Sequence, residues 1–324
     1  MDIAVLSDKL NQTLSTLRYG ENPAELYEPI RYIMSLGGKR IRPLLVLLAA
    51  KMYDEDVENA LLPAAAVEVF HNFTLMHDDI MDKAPLRRGQ QTVHEKWNAN
   101  TAILSGDVML VRAYQLLFGI APDKLATVLQ KFSETAAQVC EGQQIDMNFE
   151  QREQVSIDEY IQMITLKTAV LLGFSLELGA ILQGAPEEDA EHLKAFGNNI
   201  GIAFQLRDDL LDVYGDKAKF GKQVGGDILS DKKTFLMLTA LEQANPQQLD
   251  VLTCWRHQTN AAIALEKVEA VTAVYNALDL RQQTEEQIDL YFQKALQHLC
   301  AVQVPDARKA ALRGLAMQLM ERDS

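Results

Sequence analysis

Two stretches of this chain repeat one arrangement of carboxylates. "LMHDDIMD" carries Asp78, Asp79 and Asp82, and "QLRDDLLD" carries Asp208, Asp209 and Asp212. Residues four apart on an α-helix share a face. Asp78 and Asp82 should therefore project together, and so should Asp208 and Asp212. His71, seven before Asp78, falls on the first stripe, and Gln205, three before Asp208, on the second. Like charges at this spacing destabilise a helix, so something cationic should offset them. Both clusters sit in apolar flanks, "FTLMHDDIM" and "IAFQLRDDLL", which favours the mouth of a core over a solvated acidic helix end. Carboxylate oxygens suit a hard divalent ion, and magnesium takes one or two of them together with substrate phosphates and water. The loop spacing and glycine of an EF-hand calcium site are absent.

Basic residues gather near glycine turns and helix ends: Arg87 and Arg88 just beyond the first cluster, then Lys39, Arg40, Arg42, Lys167, Lys222 and Lys232. Each alone reads as a surface charge. Beside two magnesium-type clusters they describe a cavity for diphosphates, because arginine grips phosphate oxygens in a fork and lysine acts as a point charge. The glycine loops "LGGKRIRP" and "KFGKQVGGDILSDKKT" lack the lysine spacing and Ser/Thr partner of a Walker loop.

The elements that must hold these groups are helices. "IRPLLVLLAAKMY" has Pro43 early, as a first-turn proline should be. "ALLPAAAVEVFHNFTLMHDDIMD", "SIDEYIQMITLKTAVLLGFSLELGAIL" and "EEDAEHLKAFGNNIGIAFQLRDDLLDVYG" carry apolar residues at helical period. Ser156 and Glu159 have capping-box spacing. No sustained period-two run is bounded by turn residues. The fold class expected is all-α, with roughly ten or more helices of ordinary length.

The chain has 324 residues, 48% of them hydrophobic, which is ample for a large core. With 9 prolines, 17 glycines and no low-complexity tract, one domain over residues 1–324 is expected. A net charge of −14 argues against nucleic acid or an anionic membrane as partner. Three scattered cysteines, Cys140, Cys254 and Cys300, suit a reduced cytoplasmic protein. The N-terminus has no signal-peptide pattern. The most apolar run is interrupted by Glu177 and reads as a core helix, so no integral membrane segment is expected.

Taken together, "GGKRIRP", "EVFHNFTLMHDDIMDKAPLRRGQQTVH", "SGD" at Ser105–Asp107, "KTA" at Lys167–Ala169, "FQLRDDLLD" and "GKQVGGD" resemble, in order, the motifs of the trans-isoprenyl diphosphate synthases, the polyprenyl synthetase family. The resemblance implies an all-α terpenoid-synthase bundle around a deep central cavity, usually homodimeric, with about three magnesium ions between the aspartate clusters. It assigns Lys39, Arg42, His71 and Arg88 to the diphosphate of isopentenyl diphosphate. Asp78, Asp82, Asp208 and Asp212 become metal ligands. Arg87, Lys167, Thr168, Gln205, Lys222 and Lys232 go to the allylic diphosphate. Gln143 and Asp146 match a secondary position, with a structural role equally open. Asp78, Asp82, Asp208 and Lys167 would carry catalysis.

The implied reaction joins isopentenyl diphosphate to a C5 to C15 allylic diphosphate by ionisation, condensation and elimination. His71 fits phosphate binding or packing better than a general base. Class I terpene cyclases share the ionisation but usually replace the second aspartate motif, which is intact here. Non-catalytic subunits of heteromeric synthases tend to lose aspartates or basic residues that this chain keeps. Product length is expected at C20, with C15 as the nearer alternative. Phe73 and Thr74, the fifth and fourth residues before the first motif, are the floor positions that the resemblance names, and one aromatic beside a smaller residue resembles geranylgeranyl-producing members.

Overall fold

The computed structural model describes residues 3–215, 225–258 and 260–321. These residues form the expected helical protein. Its helices are α1 (Ile3–Thr16), α2 (Ala24–Ser35), α3 (Ile41–Lys51), α4 (Glu58–Met81), α5 (Val93–Lys96), α6 (Ala99–Leu117), α7 (Pro122–Gln151), α8 (Ile157–Ile164), α9 (Val170–Leu182), α10 (Glu187–Tyr214), α11 (Gly226–Leu229), α12 (Phe235–Gln243), α13 (Pro246–Trp255), α14 (Ala264–Ala277), α15 (Leu280–Ala301) and α16 (Asp306–Met320). The sheet among the described residues is one ribbon of two short strands, β1 (Leu86–Arg87) and β2 (Gln90–Gln91).

The chain divides into two compact units. The first comprises residues 1–135, 174–194 and 302–312, and the second residues 136–173, 195–301 and 313–324. In the first, α4 packs against α1, α2, α3 and α6. Ala60, Ala64, Ala65 and Ala66 of α4 are fully buried, as is α3 from Val46 to Leu47 and Ala49 to Ala50. A helix apolar on every side must be enclosed, and that enclosure fixes the face on which α4 presents its C-terminal aspartates. Pro43 sits in the first turn of α3 as expected.

In the second unit α14 packs against α11, α12, α13 and α15. Ser156 caps α8 with the reciprocal Ser156–Glu159 hydrogen bonds of a capping box. Between α8 and α9 the helix widens into a π-helical turn, Thr165–Ala169. The continuous stretch Ile157–Leu182 is long and apolar enough to cross a membrane, but 72% of its most apolar window is buried within the protein, as in a core helix.

Candidate active site

In the first unit, Asp78 lies in the last turn of α4 and Asp82 caps its C-terminus, its N–H donating to the Asp78 carbonyl at 2.9 Å. The helical register through both residues puts them on one face, as the spacing requires. Asp79 between them is turned inward and is 2% exposed. Arg87 holds it in a fork: Nε donates to Oδ1 and Oδ2 at 3.0 and 2.8 Å, and Nη2 donates to Oδ1 at 2.7 Å. Arg87 Nη2 also stands 3.9 Å from Asp78 Oδ2. The three aspartates therefore divide: the outer two share the presented face, and the middle one anchors Arg87.

Arg87 and Arg88 separate because they sit at a hairpin. Arg87 pairs with Gln90, leaving Arg88 and Gly89 as a two-residue loop with φ of 53° and 75°. Two successive positive φ values make a type I′ turn, which suits the twist of a hairpin. A non-glycine residue held there is strained, and such strain collects at functional sites. The turn sends Arg88 toward Gly38, where an added Cβ would lie only 2.6 Å from Arg88 Nη2. Glycine at this position in "LGGKR" is thus the space that the Arg88 guanidinium occupies. Lys39 is exposed just ahead of α3, and Arg40, the N-cap of α3, is also left-handed with φ 47°.

Arg42 Nη1 donates to His71 Nε2 at 3.2 Å, so that nitrogen is an acceptor and the imidazole is neutral with its proton on Nδ1. Burial, reinforced by Arg42, Arg88 and Arg87, holds the His71 pKa well below its usual value. Burial also lowers Arg42 to about 10 against the pull of Glu68. Arg88 is lowered by burial and by Arg87 and Arg40, with Glu68 and Asp79 opposing. Glu68 is 3% exposed and accepts a hydrogen bond from Asn72 Nδ2 at 3.1 Å. Its own pKa is raised by burial, though Asn72 and the arginines pull it down. Burial is the main cause of the lowered values at Arg42, Arg88 and His71, and perturbed groups gathered in one place mark a candidate functional site. Glu68 escaped the sequence reading, although a carboxylate three residues before His71 in an otherwise apolar run was a usable signal.

In the second unit, α10 carries Gln205, Asp208, Asp209 and Asp212. The pattern of the first cluster recurs: Asp208 and Asp212 are half-buried on one face, while Asp209 is 3% exposed. Asp209 accepts hydrogen bonds from the buried Tyr160 hydroxyl and, at 3.1 Å, from Gln205 Nε2. Gln205 Oε1 accepts from Thr168 Oγ1 at 3.4 Å. Lys167 and Thr168 both lie in the π-helical turn, a distortion frequent at functional sites. Gly197 and Gly201 of α10 have no room for a Cβ against Gly173 and Ala169. These bare contacts bring the two helices together one turn before Gln205 and so set it opposite Thr168. Lys167 Nζ pairs with Asp146 Oδ2 at 2.6 Å, which gives the secondary position Asp146 a definite contact.

Asp212 Oδ2 accepts the Asp227 N–H at 2.8 Å, tying the second cluster to the first turn of the short helix α11. Lys232 Nζ stands 3.6 Å from Asp227 Oδ1. Burial works against the Lys232 charge, but Asp227, Asp209, Asp146 and Asp212 outweigh it and raise its pKa. Burial raises the Asp209 carboxyl, opposed by Lys232. Lys222 lies outside the described residues.

Among the described residues no group of three or more His, Cys, Asp or Glu side chains closes on a metal position by itself. The carboxylate pairs one turn apart nevertheless fit magnesium, which is commonly held by one or two carboxylates and completed by substrate phosphates. Phe73 is buried at 8% exposure, its ring centroid 5.6 Å from Phe70 and 4.8 Å from His77. Thr74 is half-buried, and its hydroxyl donates to the His71 carbonyl at 2.8 Å.

The chain matches the polyprenyl synthetase family model over residues 23–278. It is 41% identical over 236 residues to a geranylgeranyl pyrophosphate synthase of Geoglobus acetivorans, covering 72% of this chain and 74% of the relative. It is 40% identical over 238 residues to a farnesyl diphosphate synthase of Bacillus subtilis, covering 71% and 80%. A crystal structure titled geranylgeranyl pyrophosphate synthase superposes with a TM-score of 0.92 at 44% identity, covering 99% of this chain and 98% of that one. The chain belongs to the polyprenyl synthetase family, the trans-isoprenyl diphosphate synthases.

Proposed function

We propose that this enzyme condenses isopentenyl diphosphate with an allylic diphosphate in a magnesium-dependent reaction and releases a C20 product, with C15 the nearer alternative. The observation that carries this reading is the shared design of the two clusters. In each, the outer aspartates share a face, while the middle one is buried and holds a diphosphate-binding candidate, Arg87 in one case and Gln205 in the other. Geranylgeranyl in the names of the first relative and the superposed structure supports C20.

Asp78 and Asp82 would hold magnesium in the first unit, and Asp208 with Asp212 in the second. Bound there, the metal supplies Lewis-acid stabilisation of the departing diphosphate. The chain's own cations do the rest. Arg42, Arg88, Lys39 and the Nδ1–H of His71 bind the diphosphate of isopentenyl diphosphate. Arg87, Lys167, Thr168, Gln205, Lys222 and Lys232 hold the allylic diphosphate, where negative charge develops as the C–O bond breaks. The double bond of isopentenyl diphosphate attacks the allylic cation, and the proton then lost passes to the released diphosphate. Neutral His71, with Nε2 engaged by Arg42, orients rather than deprotonates. The reacting carbons need a dry pocket, because water would capture the cation.

The matched family segment runs through stretches of both units, which supports residues 1–324 as one catalytic domain. Leu104 and Val111 of α6 and Phe118 at its C-cap recur every seven residues and are 54% to 60% exposed. An apolar stripe at heptad spacing suits a second copy of the same helix, so we assign it to a homodimer. Cys140, Cys254 and Cys300 form no disulfide, which suits the cytoplasm. Chromatography of dephosphorylated products, with C5, C10 and C15 primers offered in turn, tests the reading. A C20 alcohol from each primer supports it, and no chain extension from any primer overturns it.

A further inference from the structure

The motif "SGD" at Ser105–Asp107 has no role in the chemistry above, yet the structure gives it a definite one. Ser105, fully buried, donates its hydroxyl to the Leu26 carbonyl at 2.9 Å and so ties α6 to α2. Gly106 faces α4. A Cβ built on it would lie 2.2 Å from His77 Nε2 and 2.6 Å from His77 Cδ2, so the imidazole occupies the space of the missing side chain. His77 Nε2 lies 3.1 Å from the Ile103 carbonyl oxygen, one turn earlier on α6. A carbonyl only accepts, so His77 donates from Nε2. The ring is fixed by shape on one side and by a hydrogen bond on the other.

What this pinned ring touches is Phe73. The two residues are four apart on α4, their ring centroids 4.8 Å apart and their planes at 67°, the edge-to-face arrangement that aromatic pairs favour. On its other side Phe73 meets Phe70, which is fully buried and backed by Phe132 at 5.2 Å. His77 is half-buried, and its seat at Gly106 and its bond to the Ile103 carbonyl fix the ring that meets Phe73.

We propose that His77, seated on Gly106, is a specificity-determining positioning residue: it fixes the Phe73 side chain and through it the length at which the isoprenoid product stops growing. The proposal rests on the reading of Phe73 as the floor for the growing chain. His77 contacts no reacting atom in this scheme, and its effect runs wholly through Phe73.

Three variants test it, with products of each separated by length after dephosphorylation and folding checked by circular dichroism. His77→Asn removes the ring but keeps a donor for Ile103, and Gly106→Ala pushes the ring off its seat. Both should raise the fraction of products longer than the main wild-type species by up to about tenfold, the ratio that an aromatic pair of this geometry corresponds to. Adding His77→Asn to Phe73→Ala should change nothing further, because two residues acting through one contact are non-additive. A purely structural role for His77 would lower the melting temperature and the overall rate without moving the length distribution, and that result overturns the proposal. So does lengthening by His77→Asn that adds to that of Phe73→Ala. If Phe73→Ala itself leaves product length unchanged, the floor reading fails and the proposal with it. If Phe73→Ala lengthens the product and neither other variant does, only the proposal fails. Gly106→Ala decides the matter should His77→Asn not fold.

Discussion

Arg87 closes a forked ion pair on Asp79, its Nε and Nη2 lying 2.7 to 3.0 Å from a carboxylate that is 2% exposed. The middle member of the first aspartate motif is therefore a structural anchor. Replacing Asp79 with alanine should cost about 3 kcal/mol of stability, the usual penalty for stranding one partner of a buried pair, and should raise the Michaelis constant for the allylic primer as Arg87 loses its hold. Denaturant unfolding and steady-state kinetics measure the two effects. Wild-type stability in Asp79→Ala would contradict the anchoring role.

The adjacent arginines should differ. In the proposed scheme Arg88, beside Gly38 and within the field of Glu68, serves isopentenyl diphosphate, and Arg87 the allylic diphosphate. Arg88→Ala should raise the Michaelis constant for isopentenyl diphosphate about tenfold or more, the value of a charge-assisted hydrogen bond, with a smaller change for the primer. Arg87→Ala should show the reverse. Equal shifts of both constants in both variants would remove the assignment.

His71 gives a pH signature. Its folded pKa is depressed by burial and by Arg42, Arg88 and Arg87, so below the unfolded value of about 6.5 the unfolded chain binds a proton that the native chain does not. Stability from this residue is therefore complete above about 6.5 and falls as pH drops through it. His71→Gln, which never takes the proton, should lose less melting temperature than wild type between pH 7 and pH 5. Identical acid slopes in the two proteins would show that His71 accepts its proton in the folded state.

Product length should respond to the floor. Phe73→Ala should extend the product by one or more five-carbon units, and Thr74→Phe should shorten it toward C15. Truncating a buried phenylalanine costs about 3 kcal/mol or more, so the products are best compared at a moderate temperature at which both variants are folded. An unchanged distribution in folded, active Phe73→Ala places the floor elsewhere.

Much of this architecture was legible in the residues. The helical period of α4 and α10, the capping box at Ser156 and the first-turn Pro43 depend on neighbours in the chain, and all three appear as read. The outer aspartates share faces for the same local reason. The rest depends on contacts distant in sequence. The π-helical turn under Lys167 and Thr168 packs where Gly142 of α7 leaves no room for a Cβ against the Lys167 backbone, and no periodicity reports that. The split between Arg87 and Arg88 comes from a hairpin too short to show alternation. Tyr160, which holds Asp209, stands 49 positions away. Glu68 was readable as a polar residue in an apolar run, but its purpose appears only with Arg42 and Arg88 around it.

The central claim is that both aspartate clusters serve one magnesium-dependent ionisation. Its most direct test is the rate of diphosphate release from isopentenyl diphosphate and an allylic primer, with magnesium saturating, in wild type, Asp78→Ala and Asp208→Ala. Each variant should keep the wild-type circular dichroism spectrum and lose about a thousandfold in turnover, the equivalent of several kcal/mol of transition-state stabilisation. Near-normal turnover in either folded variant would contradict the two-cluster account.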